Sequence, residues 1–96
     1  MAATPDLTDA NPMMEPAPRE LSTRHITRDG AVVAVLRTLD CGGPFKVIAE
    51  LFDEGPDGPT SRGIRPYTFR DRNEATRFVD DALGSFTYLG CEIHQP

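Results

Sequence analysis

From Ser22 onward the chain alternates apolar and polar positions around Asp29-Gly30, a dipeptide that tolerates the positive φ angles of a two-residue hairpin turn. Such a turn pairs Arg28 with Ala31, Thr27 with Val32, Ile26 with Val33 and His25 with Ala34. The second strand, about Ala31 to Leu39, is apolar on both faces and reads as a central strand. Asp40-Cys41-Gly42-Gly43-Pro44 breaks it. Phe45 to Phe52 reads as a third strand, with Phe45, Val47, Ala49 and Leu51 on one face and Lys46, Ile48, Glu50 and Phe52 on the other.

Asp53 to Gly63 has the composition of a long loop. Ile64 to Arg70 reads as a fourth strand, which Pro66 directs to a sheet edge or a bulge. Asp71 stands three residues before Glu74, an acidic version of the capping box, and opens a helix. Ala75, Phe78, Val79, Ala82 and Leu83 recur at helical spacing and form one apolar stripe, and Gly84 is expected as the left-handed residue after the last turn. Ser85 to His94 then reads as a fifth strand, with Leu89, Cys91 and Ile93 on one face and Phe86 and Tyr88 leading the other.

The expected fold class is α+β: a mainly antiparallel sheet of four or five strands, with one helix of the C-terminal half packed on one face, in the order tail-β-β-β-loop-β-α-β. Residues 1–20 contain Pro5, Pro12, Pro16 and Pro18, and their large apolar side chains Leu7, Met13 and Met14 follow no period. They are expected to form a disordered acidic tail before a single domain over 21–96.

Composition narrows the class. A hydrophobic fraction of 39% and a charged fraction of 26% suit a soluble globular chain. The longest apolar run, Ala31 to Leu36, falls far short of the roughly 20 residues that span a bilayer, so no membrane partner is expected. A net charge of −5 argues against bulk attraction to nucleic acid or anionic lipid. The acidic start has no basic region followed by an apolar one, so cytoplasmic residence is expected, with Cys41 and Cys91 as free thiols.

Candidate chemistry is sparse. Cys41, Cys91, His25 and His94 do not form the close ligand pairs of a zinc site. Cys91 and His94 sit at an odd separation on a strand, and only Glu92 and His94 share a face. Cys41 before Gly42-Gly43 is placed as a thiol in a turn, with no histidine fixed beside it as a base. No catalytic residues, metal or cofactor are expected, and the chain is read as not an enzyme.

Two binding surfaces remain. Arg62, Arg65, Tyr67, Arg70, Arg72 and Arg77 interleave arginine with aromatic residues, the composition that stacks bases and holds phosphates. This supports a nucleic-acid or anion-binding module as the alternative reading. The preferred reading comes from counting surfaces, since one helix covers one sheet face and leaves the other open. Ile48, Phe52, Phe86 and Tyr88 are expected on that open face as the seat of a protein partner or of a second copy, which makes the chain a small accessory or regulatory protein.

Overall fold

The computed structural model describes residues 17–95. Five strands, β1 (Arg19–Arg28), β2 (Ala31–Asp40), β3 (Phe45–Gly55), β4 (Gly58–Phe69) and β5 (Glu92–His94), form one antiparallel sheet in the order β4-β3-β2-β1-β5. A single helix, α1 (Arg72–Tyr88), follows β4 and packs on one side of the sheet. This is the expected α+β architecture. The tail expected over 1–20 lies outside the described residues as far as residue 16, and Arg19 and Glu20 already belong to β1.

The first hairpin forms where the dipeptide places it. Asp29 and Gly30 take φ of 54° and 83°, the pair of positive angles that matches the twist of the flanking strands. Arg28 pairs with Ala31 and Thr27 with Val32, after which Val33 bulges out and Ile26 pairs with Ala34 instead. The bulge corrects the expected register by one residue on β2. Ile26 and Ala34, the latter in the middle of β2, are thereby aimed at the helix, and both are fully buried.

Two expected elements differ. Asp53 to Gly63 is a hairpin and not a long loop, because β3 runs on to Gly55, Pro56-Asp57 makes a tight turn, and β4 starts at Gly58. Ser85 to Tyr88 is the last turn of α1 and not the start of a strand, so β5 shrinks to Glu92–His94. The reason is tertiary. Phe86 continues the stripe of Ala75, Phe78, Val79 and Ala82, and as part of the helix it reaches the core. Gly84 therefore sits inside the helix, and Gly90, at φ 89°, is the left-handed residue that ends it. The Gly90 N–H donates to the Thr87 carbonyl and the Cys91 N–H to the Phe86 carbonyl, both at 3.0 Å, which is the Schellman pattern.

The start of α1 follows the capping logic. The Asp71 side chain accepts from the Glu74 N–H at 2.9 Å, and Glu74 accepts from the Arg70 N–H at 3.2 Å. The core lies between helix and sheet and is built from Ile26, Ala34, Leu36, Val47, Ala75 and Val79. Burying side chains the size of Ile26 or Val47 stabilises the fold by about 1.5–3 kcal/mol each.

Candidate interaction face

The register decides which side chains share the face opposite the helix. Paired residues point to the same side of a sheet, and Ala34, Leu36 and Val47 point to the helix. Their alternates point away: Val35, Arg37 and Leu39 on β2; Lys46, Ile48, Glu50 and Phe52 on β3; Ile64, Pro66 and Thr68 on β4. No described helix or strand lies over this side. Val35, Leu39, Ile48 and Phe52 are half-buried by their own neighbours, Ile64 is 60% exposed, and Pro66 is exposed.

In the middle of the face Arg37 is paired across the ladder with Ile48, and Val35 with Glu50. The four residues form a small checkerboard, charges on one diagonal and branched apolar side chains on the other. Among the described residues neither Arg37 nor Glu50 enters a salt bridge or a side-chain hydrogen bond.

Of the four residues expected as one patch, the structure keeps Ile48 and Phe52 together on the open face. Phe86 and Tyr88 are corrected, because the helix that replaces the expected strand carries them to the other side of the sheet. Phe86 packs against the core, and Tyr88, the last helical residue, is 90% exposed. Val35, Arg37, Leu39, Lys46, Glu50, Ile64, Pro66 and Thr68 share this face, and of these the sequence pattern places only Lys46 and Glu50 beside Ile48 and Phe52. The pattern of β2, apolar on both sides, was the available signal.

Of the arginine-aromatic segment, Arg62, Arg65 and Tyr67 line one open pocket along β4, and Arg70, Arg72 and Arg77 are not part of its lining. Arg62 occupies a bulge of β4 and pairs with Asp53 at 3.2 Å, both exposed. Arg65 and Tyr67 lie on the helix side of β4, where the Tyr67 ring packs against Phe78 with centroids 4.7 Å apart. Phe69 meets the same Phe78 ring at 5.3 Å. Arg70 and Arg72 flank the helix cap, and Arg77 is exposed on the side of α1 away from its buried residues Ala75 and Val79.

At the β1–β5 edge, His94 Nε2 lies 3.0 Å from Thr27 Oγ1 and 3.8 Å from Glu92 Oε1. His25 is paired with His94 across the ladder, yet no three histidine, cysteine or acidic side chains come together as a metal site among the described residues. Cys41 and Cys91 are free and half-buried. Among the described residues no helix is long and apolar enough to cross a membrane.

Compared with known families, curated proteins and solved structures, the chain matches none of them.

Proposed function

We propose that this protein is a small non-catalytic accessory or regulatory protein that acts by binding another protein through the open face of its sheet. The observation that carries the reading is the one-sided helix. α1 covers a single face, while the other presents Val35, Leu39, Ile48, Phe52 and Ile64 in adjacent columns. Apolar surface gathered on one uncovered sheet face is a usual mark of a protein-docking patch. Arg37, Lys46 and Glu50, set among these residues, give such a patch selectivity and a defined register.

The test uses a partner captured from native extract and then reconstituted from purified components. Ile48→Glu places a charge in the middle of the face and should weaken binding at least tenfold, about 1.4 kcal/mol, with the melting temperature retained. Tyr88→Ser, at the end of the helix on the opposite side, should bind as the wild type does. If the outcomes are reversed, the docking surface is the helix end and the reading falls.

A further inference from the structure

We infer that the occupant of the open face is a second copy of this chain, docked about a two-fold axis with Arg37 of each copy against Glu50 of the other. The inference rests on the reading of this face as a protein-binding surface and names its partner.

The central checkerboard carries the argument. Its four corners are Arg37 and Ile48 on one rung and Val35 and Glu50 on the next, all on the open face. Diagonal neighbours in an antiparallel sheet are about 7–8 Å apart. A two-fold axis lying in the plane of the face, along the Val35–Ile48 diagonal, carries Arg37 onto the Glu50 of the other copy. The same operation carries Glu50 onto the other Arg37. Two ion pairs form from one symmetry operation, and Ile48 and Val35 lie on the axis against their own counterparts. An isologous interface demands this self-complementarity, with charges of opposite sign exchanged by the axis and apolar groups on it. Neither charge is used within the described chain, so neither has to break a bond to pair.

Area and edges agree. The four long strands, about 4.8 Å apart, and four pleats of about 6.8 Å give a face of about 19 by 27 Å, since β5 adds only three residues. Two such faces bury about 1,000 Å², about the least that a specific interface needs. Edge-to-edge pairing through β4 is disfavoured, because Pro59 and Pro66 remove outward N–H donors from that strand.

Light scattering coupled to gel filtration over a concentration series tests the inference. The wild type is expected at twice the 10.5 kDa chain mass. Arg37→Glu alone and Glu50→Arg alone each set like charges against one another and should run at the single-chain mass. An equimolar mixture of the two variants should recover the doubled mass, since every cross-copy pair in the heterodimer is again opposite in sign. Arg37→Glu with Glu50→Arg in one chain should recover it as well. Far-UV circular dichroism checks that the single variants fold. If one does not, Arg37→Gln and Glu50→Gln take their place, each with an expected tenfold rise in the dimer dissociation constant. A wild type that stays at one chain mass, or two folded variants that stay apart when mixed, overturns the inference. A monomeric wild type that still loses its partner on Ile48→Glu overturns self-association alone. A partner indifferent to Ile48→Glu overturns the reading beneath it.

Discussion

Thr23 is the residue at which the sheet spends stability. It is 9% exposed, and its hydroxyl oxygen is buried without a hydrogen-bond partner among the described residues. A buried hydroxyl that loses water and gains nothing costs about 1–3 kcal/mol. Valine has the same β-branched shape and suits the strand equally well. Thr23→Val is therefore expected to stabilise the fold by about 1 kcal/mol and raise the melting temperature by about 4–8 °C for a domain of this size. Thermal unfolding followed by circular dichroism measures it. A fall in melting temperature would show that the hydroxyl is bonded in solution. The same residue-scale logic worked directly from sequence where a side chain acts on its own neighbourhood: Asp29-Gly30 formed the turn, and Asp71 with Glu74 formed the cap.

At the scale of elements, sequence was legible wherever a local rule and the tertiary context agreed. All four long strands and the helix start are in place. Where the two disagreed, packing won. Ser85 to Tyr88 contains Phe, Thr and Tyr, which favour strands, yet burial of Phe86 holds these residues in the helix. Asp53 to Gly63 contains three glycines and two prolines and reads as a loop, yet cross-strand pairing from Phe52–Ser61 to Gly55–Gly58 makes it a ribbon. The bulge at Val33 was illegible because a turn dictates only the rungs beside it. Half of the expected docking set moves because burial of Phe86 in the helix overrides the strand alternation that would put Phe86 and Tyr88 on the open face.

The helix end offers a sharp pair of measurements. Gly84 lies in the helix with open space where a Cβ would be, so Gly84→Ala should stabilise by about 1 kcal/mol. Gly90 holds φ 89° at the Schellman turn, so Gly90→Ala should destabilise by about 1 kcal/mol despite equally open space. Urea unfolding of both variants decides. Equal and opposite signs support a helix ending at Tyr88, while a destabilising Gly84→Ala would put its end at Gly84.

For the molecule as a whole, the balance between sheet edge and sheet face determines how it can meet other chains. An antiparallel sheet has two edges, and each is blunted here. On one side β5 covers only His25 to Thr27 of β1, and the rest of that edge carries Arg19, Glu20 and Arg24. The Arg24 guanidinium donates to the Thr23 carbonyl at 3.3 Å, occupying an acceptor in that stretch. On the other side β4 is long and almost wholly exposed, the form of edge most prone to uncontrolled pairing. Its ladder with β3 sets Pro59 opposite Glu54 and Pro66 opposite Ile48. Gly55 and Gly58 close the two-residue turn as a hydrogen-bonded pair, so the next rung, Glu54–Pro59, and the Ile48–Pro66 rung six residues further along β3 are non-hydrogen-bonded, and at both prolines a backbone N–H would point away from β3. A proline is tolerated in an edge strand only there, and there it deletes a donor that an incoming strand would need. Pro59→Thr with Pro66→Thr restores both donors and adds β propensity without touching the core. The double variant is expected to keep the wild-type far-UV spectrum and melting temperature when fresh and dilute, then to form thioflavin-positive aggregate on standing while the wild type does not. A double variant as soluble as the wild type over the same period would show that the prolines do not guard this edge, and would return strand pairing through β4 to contention with the open face.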